Sequence, residues 1–194
     1  YSNGVNASGA AIQIESNDAY AGDIKIEISG SSTINSTYGY ALYEYLNTTG
    51  SNPAKITKVT GLRIEGGTFT YGKNGFALFS ENLAESGVGK NFITGGSFTD
   101  LVDAVRYAAS GTTIKLADDA TGPGIGLFNT ERGQYKIAAK SLTIDLGGHT
   151  YTVIGPAVGS GDNYLTQGFH LETGCENFTL KNGKITSQSG SGVM

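Results

Sequence analysis

The stretch "IEGGTFTYGKNGFALF", Ile64 to Phe79, holds two short phrases that recur along the chain. The first is Ile64-Glu65-Gly66-Gly67-Thr68-Phe69: a strand end, a glycine pair, then a hydroxyl residue and an aromatic. It returns as Ile93-Thr94-Gly95-Gly96-Ser97-Phe98, as Leu180-Lys181-Asn182-Gly183-Lys184-Ile185, and in Ile28 to Ile34 around Gly30. Ile144 to Tyr151 is a looser copy with an extra residue around Gly147-Gly148. Each copy reads as a strand, a corner that needs positive φ, and a second strand. Glycine tolerates that backbone, and Asn182 is a reasonable substitute for it. The second phrase, Gly75-Phe76-Ala77-Leu78, echoes Gly9 to Ile12, Gly39 to Leu42 and Gly168 to Leu171.

The two phrases alternate, and their recurrence falls in the range that marks solenoids and arrays. Between them run short segments such as Ile24-Lys25-Ile26-Glu27-Ile28 and Leu142-Thr143-Ile144. Apolar and polar residues alternate there with period 2, so one face is buried and the other is wet. Coils of three short strands, each strand pairing in parallel with its equivalent in the next coil, satisfy this pattern. One coil cannot bury its own apolar row, and its neighbours supply the missing wall. In this frame Phe69, Phe76 and Leu78 fill the interior and Phe79 faces out.

With these glycine corners and Gly-x-Ala-Leu strands, the chain resembles the right-handed parallel β-helix proteins of the pectate lyase-like superfamily. It is most similar to the Gly/Thr-rich β-helix modules of large bacterial surface proteins. The implied fold is all-β: a right-handed parallel β-helix, or solenoid, with one short amphipathic capping helix near 100–110.

That helix comes from "TDLVDAVRYAASGTTIKL", Thr99 to Leu116. Leu101, Val102, Ala104, Val105 and Ala108 make an apolar stripe at helical spacing. Asp100 or Thr99 can cap its start, Asp103 suits the first turn, and Gly111 is expected to end it. In the resembled superfamily such a helix closes the open apolar mouth of the first coil. Residues 1–99 therefore read as later coils, and residues 100–194 as a cap helix followed by early coils. A permuted single stack is excluded by geometry. At about 4.8 Å per coil, the two residues between Phe98 and Leu101 cannot run the length of a stack. Two stacked segments with the helix at their junction are expected. The ends around residues 1–9 and 187–194 carry no cap signals, which points either to self-association through open solenoid ends or to a chain cut from a longer protein.

Composition narrows the function classes. The 194 residues include 30 Gly and only 15% charged residues, with a net charge of −4, so no basic stripe exists for nucleic acid. No apolar run approaches the roughly 20 residues of a membrane span, so no membrane insertion is expected. The single Cys175 cannot form an internal disulfide. Low charge with abundant Ser, Thr, Asn and Gly points to an extracellular or cell-surface location. Asn6, Asn35, Asn47 and Asn177 begin Asn-x-Ser/Thr triplets, at a frequency this composition produces by chance.

A catalytic set is not evident. The resemblance implies Ca²⁺-binding Asp residues with an Arg or Lys base, or paired Asp residues for hydrolysis. The chain has only Arg63, Arg106 and Arg132, and no Arg-x-Pro-x-x-Arg. Asp118-Asp119 reads as a solvated turn after a strand. His149 would need a carboxylate within hydrogen-bond reach, and Asp145 is its nearest sequence candidate. His170 stands where other copies have Ala and is expected to point outward. No Cys/His spacing supports zinc, and Gly161-Asp162-Asn163 lacks a calcium-loop pattern, so no metal or other cofactor is expected.

One surface feature remains. If Ile12, Leu42, Leu78 and Leu171 point inward, then Gln13, Tyr43, Phe79 and Glu172 form an outward row, with Tyr45 and Glu81 at the next outward positions. Aromatic faces beside carboxylates suit sugar rings, and Tyr43, Tyr45, Phe79, Glu81 and Glu172 are the candidate ligand-binding residues. A cross-strand stack that only stabilises the sheet is the alternative. The expected function is a non-catalytic extracellular β-helix module, a surface, adhesin-like or structural scaffold with a glycan or host-surface ligand. The alternatives are a pectate lyase-like polysaccharide-degrading enzyme and a head-to-tail filament subunit.

Overall fold

The computed structural model describes residues 10–17, 23–37, 39–47, 58–71, 78–80, 91–129, 136–154 and 168–187. Their strands form parallel sheets only, wound as a β-solenoid of about three turns with one short helix. The chain divides into two compact units, Tyr1–Gly96 and Ser97–Met194.

In the first unit, β1 (Ile12–Asn17), β4 (Leu42–Asn47) and β7 (Leu78–Ser80) pair in one row, with Ile12 opposite Leu42 and Leu42 opposite Leu78. This is the register the recurring Gly-x-Ala-Leu phrase predicts. A second row joins β2 (Asp23–Ile28) to β5 (Lys58–Ile64), and a third joins β3 (Thr33–Ser36) to β6 (Thr68–Tyr71). Ile28, Ile34, Leu62, Ile64, Phe69, Phe92 and Ile93 are buried between the rows, as period-2 alternation requires. Phe69 is fully buried as expected, while Phe76 lies outside the described residues.

The corner at 64–69 assigns its two glycines different tasks. Gly66 lies against the coil beneath: a Cβ there would come 2.6 Å from the Gly30 carbonyl oxygen. Gly67 has φ +90° and donates its N–H to the Gly30 carbonyl at 2.9 Å, while Thr68 donates to Ser32 at 2.8 Å. In the second unit Asn182 holds φ +58°, the substitution the sequence suggested, and Gly183 makes the close approach.

The second unit starts with β8 (Ser97–Phe98) and α1 (Leu101–Tyr107). The Asp100 side chain accepts from the Asp103 N–H at 3.1 Å and caps the helix. Leu101, Ala104 and Val105 are buried against β9 (Thr113–Leu116) and β12 (Lys136–Ala138). The helix ends at Tyr107, with Ala108 as C-cap in extended conformation, so Gly111 does not terminate it. Gly111 instead turns the chain into β9 at φ +84°. The end of the helix is held by Lys140, whose ammonium donates to the carbonyls of Ala108 (2.8 Å), Arg106 (3.1 Å) and Val105 (3.3 Å). A cation on the last carbonyls complements the helix dipole.

Three rows of parallel strands follow. β9 lies between β8 and β13 (Thr143–Asp145), and β13 pairs on to β16 (Thr179–Lys181). β10 (Ala120–Gly122), β14 (Thr150–Val153) and β17 (Lys184–Ser187) make the second row. The third is β12, β11 (Ile125–Phe128) and β15 (Phe169–Leu171). Ile114, Ile144, Ile125, Leu127, Tyr151 and Phe169 fill the interior. Tyr151 is buried opposite Ala120, and its hydroxyl donates to the Pro123 carbonyl at 2.7 Å, so the one polar atom it brings inside is satisfied.

Candidate functional site

The sequence-derived aromatic row is in register: Gln13, Tyr43 and Phe79 are successive Cα partners, and Glu15 lies opposite Tyr45. Its surface differs from the expectation. Tyr43 is only 6% exposed and stacks on Tyr40, ring centroids 5.1 Å apart at 15°. Alternation alone treats the outer face of a strand as open. Two tyrosines three positions apart instead cover each other. The side chains of Tyr45 and Phe79, and the whole of Glu81, lie outside the described residues, as do residues 161–163.

Glu172 belongs to a different arrangement, in the second unit. On β11, Ile125 and Leu127 are fully buried, so Gly126 and Phe128 belong to the outer face. Gly126 lies opposite His170 of β15, whose neighbour Phe169 is also fully buried. With no side chain at Gly126, the Phe128 ring leans over it. A Cβ at that position would sit 2.0 Å from the Phe128 ring edge. The Phe128 and His170 rings are nearly parallel, centroids 4.9 Å apart and 25° between planes. Beside them the Glu172 carboxylate accepts from the Asn129 N–H at 3.3 Å with Oε2. Its Oε1 stands 3.9 Å from His170 Nε2. His170 and Glu172 keep 29% and 36% of their side-chain surface exposed.

Sequence reasoning named Glu172 and His170 but not Phe128. The signal was present: in Gly126-Leu127-Phe128, a glycine occupies an outward position, which leaves room for a neighbouring ring.

The corner acids are engaged in joining coils. Asp145 accepts from the Gly147 N–H and from Asn182 Nδ2, both at 3.0 Å, and lies 3.8 Å from Lys181. The Gly147 and Asn182 hydrogen bonds, aided by Lys181 and Lys115, hold its carboxyl below the usual range. Asp145 is therefore not the partner of His149. The His149 ring instead lies 3.7 Å from Asp119, which accepts the Thr150 N–H at 2.8 Å. Asp118 accepts the Asp119 N–H at 2.7 Å, and both residues are exposed. At 3.7 Å the Asp119–His149 contact is longer than a hydrogen bond.

The helix start holds a second group of ionisable residues. Burial pushes the Asp100 carboxyl up to about 6, against the hydrogen bonds from Asp103 and Val102 and the Arg106 charge. Asp103 is pushed well above the usual carboxylate range, by burial first and by the neighbouring Asp100. Arg106 Nε lies 3.7 Å from Asp103.

A polar groove of about 500 Å³ is lined by Ser110, Gly111, Ser141, Leu142, Thr143 and Asn177. Its polar groups bond across coils: Gly111 donates to the Ser141 carbonyl at 2.7 Å, and Asn177 to Ser141 Oγ at 3.4 Å. Cys175 is a half-buried free thiol. Among the described residues, no group of three or more His, Cys, Asp or Glu is placed to hold a metal ion, and no helix is long and apolar enough to cross a membrane. No protein-family model matches the chain, and neither a curated protein nor a solved structure matches it with significance.

Proposed function

We propose that this chain is a non-catalytic module of an extracellular or cell-surface protein, an adhesin-like or structural β-helix scaffold that presents a glycan-binding surface. One observation carries the reading: the corner acids serve as hydrogen-bond acceptors that join one coil to the next. Asp145 reaches Asn182 one coil on, and Asp119 reaches Thr150. Acids spent in this way lock the register of the stack. Supporting this, the outer faces carry in-register polar rows, Thr113–Thr143–Thr179 and Lys115–Asp145–Lys181. Incubating the protein with acidic and neutral polysaccharides, with and without Ca²⁺, tests it. The expected result is no turnover. Turnover that Asp118→Asn, Asp119→Asn or His149→Ala abolishes would replace this reading with the enzymatic one.

That second reading, a pectate lyase-like polysaccharide-degrading enzyme, has one observation in its favour. The stack brings Asp119 and His149, 30 residues apart in the chain, to 3.7 Å. A third, head-to-tail assembly, is favoured by the last described coil. Leu180 and Ile185 are only half-buried there, while their partners Ile144 and Tyr151 are buried. Light scattering across a concentration series separates it from the first reading, which predicts a constant mass.

A further inference from the structure

We propose that the outer face of β11 and β15, at Phe128, His170 and Glu172, is a binding site for one sugar ring of a neutral glycan. The proposal rests on the surface-module reading for its class of ligand, and it moves the contact away from the tyrosine row to residues in the second unit.

Gly126 brings no side chain to the outer face of β11. Any larger residue would collide with the Phe128 ring, so glycine is what lets that ring lean over its own strand and stack on His170. The two rings stack face against face across β11 and β15, and His170 keeps 29% of its side-chain surface exposed. A pyranose offers one face of C–H groups, which packs on such a ring, and a rim of hydroxyls, which needs polar partners at the ring's edge.

The polar partners are at that edge. His170 Nε2 and Glu172 Oε1 are 3.9 Å apart, too far for a direct hydrogen bond. A hydroxyl set between them accepts from Nε2–H and donates to the carboxylate, with one oxygen serving both roles. The carboxylate is already oriented for this, because Oε2 is held by the Asn129 N–H and leaves Oε1 turned toward His170. A hydroxyl acts as donor and acceptor together, whereas a carboxylate or phosphate ligand only accepts and would meet Glu172 as a like charge. This selects a neutral sugar over a uronic acid.

A purely structural ring stack also stabilises a sheet. It differs in one consequence: Glu172 would then have no part in ligand binding.

Titration calorimetry and saturation-transfer NMR on the full chain test the proposal, with cellohexaose, mannohexaose and chitohexaose as neutral probes and hexagalacturonate as the acidic one. At least one neutral probe should bind, and hexagalacturonate should bind at least tenfold more weakly. Glu172→Gln, a near-isosteric change at a half-exposed position, should weaken the neutral probe at least tenfold with the melting temperature unchanged. Phe128→Ala should abolish binding, with circular dichroism confirming the fold. Failure of all neutral probes to bind overturns the proposal, as does binding that Glu172→Gln leaves intact. Binding kept in both variants but lost in Tyr43→Ala would refute this site while leaving a glycan-binding scaffold in place. Turnover of a probe would count against the scaffold reading itself.

Discussion

The corner at Gly66-Gly67 in the first unit and the corner at Asn182-Gly183 in the second do the same job with the order of parts reversed. In the first, the residue pressed against the coil beneath comes before the residue with positive φ. Gly66 faces the Gly30 carbonyl, and Gly67 turns the chain at φ +90°. In the second, Asn182 turns the chain at φ +58°, and Gly183 then makes the approach, where a Cβ would fall 2.3 Å from Leu146 Cβ and 2.5 Å from the His149 carbonyl oxygen. A positive-φ position tolerates Asn, whose side chain here repays the strain by donating to Asp145 at 3.0 Å. A position pressed on backbone tolerates only the absence of a side chain. The recurring Gly-Gly of the sequence is thus two separate requirements that happen to share one residue type.

This difference predicts a graded series. Gly95→Ala and Gly183→Ala should destabilise most, by about 3 kcal/mol, because the new methyl meets backbone or a packed side chain that cannot yield. For Gly95 the obstacle is the Glu65 carbonyl oxygen, 2.4 Å from the added Cβ. Gly30→Ala should cost less, about 1 to 2 kcal/mol, since φ +68° is strained for alanine but no atom lies within 4 Å of its Cβ. Urea denaturation of the three variants checks the order. Equal losses at all three would mean that coil-to-coil contact does not set the corner.

The acids of the second unit sharpen the contrast further, because the corner and the helix use them with opposite sign. Asp145 has a lowered pKa, so its contribution is present above about 3.8 and is lost as pH falls through its folded value. Asp100 has a folded pKa of about 6 against 3.8. Its contribution is present below 3.8 and is lost as pH rises through about 6, and Asp103 acts in the same direction. Asp100→Asn keeps a capping oxygen and removes the titration. The wild-type protein should therefore lose stability between pH 4 and 6, and the variant should lose less. The two should differ little at pH 4, with the variant more stable at pH 7. Denaturation curves across this range provide the check, and an Asp100→Asn protein with the wild-type slope would refute the assignment.

The features legible in the sequence were those that repeat. The register of Ile12, Leu42 and Leu78, the positive φ at Asn182 and the helix cap at Asp100 each follow from a local rule applied to a recurring phrase or a capping signal. What was missed depends on side-chain contacts that do not repeat. Lys140 reaches the helix end from 32 residues beyond Ala108. Asp119, rather than the sequence-near Asp145, faces His149. Tyr43 is covered by Tyr40, and Phe128 lies over Gly126. In each case the deciding fact is which particular side chains meet, and strand periodicity carries no information about that.

Methyl NOE spectroscopy on Ile, Leu and Val-labelled protein reads the parallel, in-register pairing of the coils in the second unit without an intermediary. Ile114, Ile144 and Leu180 are successive Cα partners on β9, β13 and β16, with Ile114 and Ile144 fully buried. Cross-peaks are expected between the methyls of Ile114 and Ile144, and between those of Ile144 and Leu180, with none between Ile114 and Leu180. Cross-peaks that instead pair consecutive strands as antiparallel hairpins would contradict this pairing.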